Sequence, residues 1–452
     1  MDEYRILAPT AILGYGFPVE SFQEGLARKP HLIAVDAGST DPGPYYLGAG
    51  VSFTEYQAVK RDLALLLPAA LKAQVPLVIG SAGGSGGKPH VAWNLRIIKE
   101  IAAEAGLEFS VAVIGAEISK EAVTELWRNG RIRSLPPSPE LTEADIAESV
   151  RIVGQMGIEP VQRALDGGAQ VVLAGRCYDP AVFAAPAVRH GFTPGLAIHL
   201  GKILECAAIA AVPGSGSDCL FGYLHRDDFE VEPLNPIRRC TTLSVAAHTL
   251  YEKSNPYLLP GPGGVLDLQA ARFEQTGDGR VRVSGSRFQP DETYRIKLEG
   301  VRRVGFRTVA IAGVRDPVTM RAIDQVIAGV KARVADNFKA GSFDYYLDFK
   351  IYGKNGVMGD LEPTPVPEGH ELGIVIEAVA ATQEMADTIC GFARSTMLHF
   401  GYEGRIATAG NLAFPYSPSD FPAGAVYGFS IYHLAEVTDP NQLFPIEMEM
   451  VK

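Results

Sequence analysis

Apolar residues in the first half of the chain fall in short unbroken runs, each closed by glycine or small polar residues. HLIAVDAG (31–38), PLVIGSAGG (76–84), FSVAVIGAEI (109–118) and AQVVLAGRC (169–177) all follow this pattern. Runs of this length without polar alternation suit strands covered on both faces of a parallel sheet. Between them the spacing of apolar positions predicts helices over roughly 54–73, 89–105, 119–129 and 142–166. Strand, turn and helix in that rhythm define a parallel-sheet, Rossmann-like α/β domain. Its strand-end loops should converge on one edge, where ligands of such sheets bind. The stretch 198–265 reads as helical with glycine interruptions, and 265–300 as an antiparallel hairpin region turning at TGDGR (276–280).

The last third changes rhythm. VGFRTVAIAGV (304–314), a helix near 318–336, strands at 345–353 and 371–380, a helix at 383–400 and a strand near 426–433 give the order βαββαβ. That order predicts a ferredoxin-like α+β domain. The expected organisation is therefore a parallel α/β domain over 1–290 and a ferredoxin-like domain over 291–452, consistent with a chain of 452 residues exceeding a single core.

A formal net charge of −11 offers no general basic surface, so nucleic acid and anionic membranes are not expected partners. The acidic start MDEYRILAP lacks the basic region of a signal peptide, and no apolar run approaches the length of a membrane span. Five cysteines without a CxxC pair fit free thiols in a reducing cytoplasm.

Candidate chemistry collects at the strand exits. VIGSAGGSGGKPH (78–90) holds five glycines and two serines between a strand and a helix. Glycine lets backbone N–H groups approach an anion, and the helix N-terminus favours negative charge. The segment matches neither the P-loop nor GxGxxG, so Ser81, Gly83, Gly84 and Ser85 are expected to bind a substrate anion rather than a nucleotide. The bland reading is a tight connection. VDAGSTDPGP places Asp36, Ser39, Thr40 and Asp41 on a neighbouring turn, where Asp36 or Asp41 could serve as a base and the hydroxyls could orient substrate; these residue types also simply stabilise turns. AGRCYDP offers Arg176 and Asp179, either a fork for a carboxylate or an internal ion pair. HLGKILEC puts His199 and Lys202 on one helical face, with Glu205 and Cys206 beside them. HTLYE brings His248, Tyr251 and Glu252 together, an acid/base arrangement more than a metal site, because no third ligand cluster accompanies it.

Taken in order, VDAGSTDPGP, IGSAGGSGG, LAGRCYDPAVFAAP, HLGKILECAA and AAHTLYEKSNPYLLPGPGG resemble the AtuA family, named for acyclic terpene utilisation. The resemblance implies a single AtuA-type unit acting in the breakdown of branched carboxylic acids, some CoA-linked, alongside a small companion protein. With the residues above, the leading expectation is a lyase that needs neither cofactor nor metal, a hydratase/dehydratase of a small di- or hydroxycarboxylic acid. Asp36, Asp41, Lys202, His248 and Tyr251 are the catalytic candidates, and Ser39, Thr40, Ser81, Gly83, Gly84, Ser85, Arg176 and Asp179 the substrate contacts. Two other readings stand beside it: a hydrolase or transferase on a CoA thioester or amide with Ser81 or Cys206 as nucleophile, and a non-catalytic assembly subunit. A homo-oligomer is expected in each case.

Overall fold

A computed structural model describes residues 1–251, 253–339, 344–364 and 369–452. The chain is a mixed α/β protein with parallel and antiparallel strands, and it divides into two compact units: Met1–Arg302 with Phe429–Lys452, and Arg303–Gly428. The 291–452 stretch expected to form the second domain is thus shared between both units.

The first unit is built on a ten-stranded sheet. At its centre Tyr4–Ala8, Leu32–Asp36, Leu77–Gly80, Val171–Ala174 and Phe109–Ile114 pair in parallel in that spatial order. Alternation explains why these runs are apolar on both faces. Ile6, Leu32, Ala34, Val78, Val172 and Ala112 enter one core, while Leu7, Ile33, Val35, Leu77, Leu173 and Val111 enter the other. Both faces are covered, so successive side chains are apolar apart from Arg5, Asp36 and Ser110 near the strand ends.

Antiparallel strands flank this centre. Leu220–Leu224 pairs with Tyr4–Ala8 and turns back into Asp228–Pro233, followed by Arg280–Ser284 and Arg272–Gly277. At the opposite edge Ile446–Val451 lies against Phe109–Ile114, with Val451 opposite Phe109. That pairing draws the last residues of the chain into the first unit.

Three stretches differ from expectation. The 142–166 region is two helices, Glu143–Glu148 and Glu159–Asp166, around a strand, Arg151–Gly154, which pairs with Leu298–Val301. Helical periodicity over that span is overridden by a partner almost 150 residues away. The region read as helical over 198–265 contains the hairpin 220–233 as well as the helices Pro194–Leu204 and Thr242–Leu250. The single helix near 318–336 is two, Pro317–Arg321 and Ile323–Phe338.

The second unit contains the end of Arg295–Val314, then those two helices, strands Tyr345–Tyr352 and Leu372–Ala380, helix Gln383–His399, and the start of Asp420–Glu436. Leu372–Ala380 pairs antiparallel with both Tyr345–Tyr352 and Phe306–Val314. Ile323, Val326, Val330 and Val334 on one helix and Ala386, Ile389, Cys390 and Ala393 on the other share a core with that sheet. No described helix is long and apolar enough to cross a membrane.

Candidate active site at the strand exits

Because Leu32–Asp36, Leu77–Gly80 and Val171–Ala174 are successive strands, the loops that leave them lie side by side. Glycine permits their contact. A Cβ on Gly38 would sit 3.0 Å from Gly84 Cα, and one on Gly86 would sit 2.0 Å from the Arg176 amide nitrogen. Ser81 adopts a left-handed φ of 46°, uncommon for a residue with a side chain. Its N–H donates to the Gly175 carbonyl, and its Oγ accepts from the Cys177 N–H and lies 3.3 Å from an Arg176 guanidinium nitrogen.

Asp36 ends its strand, 6% exposed. One carboxylate oxygen accepts from the Gly38 N–H at 3.2 Å, and Oδ1 has no hydrogen-bond partner among the described residues. Burial raises its pKa well above the usual carboxylate range; the nearby charges of Asp179 and Glu205 add to this, and Arg176 opposes it.

Arg176 takes the internal-brace role. It is 1% exposed and donates to Glu299 Oε2 at 2.9 Å, to Asp179 Oδ1 at 2.7 Å and to the Cys177 carbonyl at 2.5 Å. Lys297 lies 2.7 Å from the other oxygen of Glu299. Burial works to raise the Glu299 pKa, but Arg176 and then Lys297 outweigh it and hold the carboxyl at about 2. A substrate carboxylate would compete with Asp179 for this guanidinium.

The glycine loop is packed, with Ser81 to Gly87 all buried. An internal carboxylate already uses the start of the following helix, Lys88–Ala105: Glu117 Oε2 accepts from the Lys88 N–H at 2.8 Å and lies 3.1 Å from Arg151 Nε. Three polar atoms around the loop nevertheless lack partners among the described residues: Ser85 Oγ, His90 Nδ1 and Asn94 Oδ1. All three residues are fully buried.

A second group surrounds Lys202, which is 2% exposed on Pro194–Leu204. Its ammonium lies 5.0 Å from the centre of the Tyr251 ring and 3.9 Å from Glu205 Oε1. His248 stacks on Tyr251 with ring centres 5.0 Å apart. The His248 ring hydrogen-bonds the backbone of Lys202, and Nε2 is left without a partner among the described residues. Burial, then the Lys202 charge, lowers the His248 pKa to about 4, so the ring is neutral at physiological pH. Tyr251 OH contacts Cys206 Sγ at 3.6 Å, and burial followed by the Glu205 charge pushes the Cys206 thiol up to about 12. Glu205 links the two groups, because its charge acts on Asp36, Cys206 and Tyr178 alike.

Other expected residues fall outside this arrangement. Asp41 is exposed, and Ser39 donates to it at 2.7 Å, a bond that stabilises the turn. Thr40 is buried, and its carbonyl accepts from the Gly43 N–H. His199 is fully buried with both ring nitrogens engaged, by Ser286 (2.7 Å) and Thr249 (3.0 Å). Glu252 lies outside the described residues. Sequence reasoning does not single out Glu299, Lys297, Glu117, His90 or Asn94, and it places Glu205 only beside Lys202. The signal for Glu299 was present in RIKLEGV, where Lys297 and Glu299 share one face of a strand.

A family model described as "Acyclic terpene utilisation family protein AtuA" matches residues 55–214 and 237–413. The chain belongs to the AtuA family. The matched spans carry the glycine loop, Arg176, Lys202 and His248 of this AtuA protein, whereas Asp36 precedes them. No curated protein and no solved structure matches the chain.

Proposed function

We propose that this AtuA-family protein is a catabolic lyase, a hydratase/dehydratase of a small branched di- or hydroxycarboxylic acid, with Asp36 as the proton-transfer group. The observation that carries this reading is the Asp36 carboxyl: buried at a strand exit, one oxygen without a partner among the described residues, and within reach of the charges of Asp179 and Arg176. A carboxyl whose acid form is favoured is a stronger base once ionised, and acid–base steps of this kind contribute on the order of 10²–10⁴ in rate. In the dehydration direction Asp36 takes a proton from the carbon beside the substrate carboxylate. The C–O bond on the next carbon breaks, Lys202 or Tyr251 gives the departing oxygen its proton, and water leaves as C=C forms. Ser85, His90 and Asn94 supply unspent hydrogen-bonding capacity for a polar ligand beside the glycine loop.

The family description supports a catabolic role in acyclic terpene utilisation. The hydrolase alternative is less favoured: the Cys206 thiol is held far from its nucleophilic form, and Ser81 Oγ is engaged with Cys177 and Arg176. We also read 303–428 as ferredoxin-like, a reading supported by its βαββαβ order and by the spatial order 345–352, 372–380, 303–314, 420–428.

The test is proton exchange by NMR in D2O with a panel of branched hydroxy and unsaturated acids. Exchange at the carbon beside the carboxylate, with loss in Asp36→Asn, is expected. Exchange that persists in Asp36→Asn would remove Asp36 from the role, and no exchange or water addition with any acid of the panel would count against the lyase.

A further inference from the structure

In the proton-transfer scheme Lys202 only shares the donor role with Tyr251, and a covalent role for Lys202 would leave that donation to Tyr251. A lysine ammonium has three donors and is strongly hydrated, so a shielded one normally finds acceptors. Here the side chain is 2% exposed, yet among the described residues Nζ meets an aromatic face at 5.0 Å and a carboxylate at 3.9 Å, beyond hydrogen-bond distance. Around it stand Glu205, the Tyr251 ring, and the neutral His248 ring, which hydrogen-bonds the Lys202 backbone. Tyr251 is 41% exposed and gives the cluster its contact with solvent. An amine on a packed helix, without a tight ion pair among the described residues and next to a carboxylate, is arranged for covalent chemistry at a carbonyl carbon.

We propose that Lys202 forms an imine with a ketone- or aldehyde-bearing carboxylic acid. The inference rests on the lyase reading and narrows its substrate class to oxo acids. The ammonium passes a proton to Glu205, and the amine nitrogen bonds to the carbonyl carbon as the C=O π bond breaks toward oxygen. Glu205 returns that proton to the oxygen and then relays a second one from nitrogen. Both protons that leave nitrogen end on the oxygen, which departs as water and leaves a protonated imine. The imine draws electrons from the neighbouring carbon, which in a 3-oxo acid is the carbon beside the carboxylate, and so eases the proton loss assigned to Asp36. Water addition reverses the sequence and releases product and free lysine.

The experiment is borohydride trapping on the full chain with pyruvate as the probe, followed by peptide mass spectrometry. One reduced pyruvate on Lys202 is expected, appearing ahead of adducts on exposed lysines such as Lys88 and Lys253, and absent in Lys202→Arg. The preference for Lys202 should vanish when the same trapping is done in denaturing urea, a comparison that stands even if Lys202→Arg fails to fold. No adduct on Lys202 in the native protein, or labelling no faster than at surface lysines, overturns the inference. Trapping needs no turnover, so a protein that exchanges protons but forms no imine would lose only this proposal. A protein that forms the imine but never exchanges protons would lose the lyase reading instead.

Discussion

Arg176 Nε donates to Glu299 Oε2 at 2.9 Å, with both side chains shut away from solvent. The pair ties the loop after Val171–Ala174 to the strand that begins at Arg295, and Arg176 reaches on to Asp179 and Ser81. Removing one member of a buried pair strands the other charge, at a cost of about 3–5 kcal/mol. Glu299→Gln should therefore lower the urea midpoint strongly, and Lys297→Met should do so less because Lys297 keeps some exposure.

The same carboxylate sets an acid limit. Its folded pKa is about 2 against an ordinary 4.5, so its contribution to stability is complete above about 4.5 and lost as pH falls toward 2. Thermal melts by circular dichroism across that window should drop for the wild type. They should be flatter for Glu299→Gln, from its lower starting point.

Asp36 behaves with the opposite sign. Its folded pKa is raised, so the fold is penalised as pH rises toward and through that value, while below the ordinary carboxylate pKa there is no penalty. Asp36→Asn should match or exceed the wild type in melting temperature at neutral pH and above while losing roughly 10²–10⁴ of turnover. A variant that is both slower and clearly less stable at pH 8 would point to a structural role.

His199 and His248 are held neutral, their pKa values lowered from 6.5 to about 3 and about 4, chiefly by burial. The unfolded chain binds those protons first, so stability should decline as pH falls from about 6.5 toward 4. Replacing His248 with Gln should remove part of that decline, measurable as a smaller change in melting temperature between pH 7 and pH 5.

Two glycines separate packing from backbone conformation. Gly106 has φ +61° and open space around its missing Cβ, so Gly106→Ala should cost only the left-handed backbone, about 1 kcal/mol. Gly86 has φ +67°, and a Cβ there collides with the Arg176 backbone at 2.0 Å. Gly86→Ala should be several-fold more damaging in urea unfolding and should displace Ser81 and Arg176 as well.

The parallel centre of the sheet was legible because its signal is local. Val35, Ile79, Val113 and Leu173 sit in uninterrupted apolar runs, and each run ends where the chain must turn toward the ligand edge. The flanking strands were not. Leu220–Leu224 and Ile446–Val451 pair with Tyr4–Ala8 and Phe109–Ile114, partners hundreds of residues away that no local pattern names. In the site, Asp36, Ser81, Arg176, Lys202 and His248 could be selected because rare side chains stood on strand exits and helix faces. Their partners could not, since Glu299 is 123 residues from the arginine it neutralises.

The amino-acid sequence alone determined where strands end, which loops need glycine, and which chemistry-bearing residues stand at those ends. Hydrophobic period and glycine placement act over a few residues, and the chain states them directly. Tertiary structure decided what each of those residues does. It engaged Arg176 with Glu299 and Asp179, left Asp36 Oδ1 without a partner among the described residues, and let the charge of Glu205 act on both groups. Burial and charge pairing depend on atoms that meet only after the chain has folded, and those two quantities set the protonation of Asp36, Glu299, Cys206 and His248.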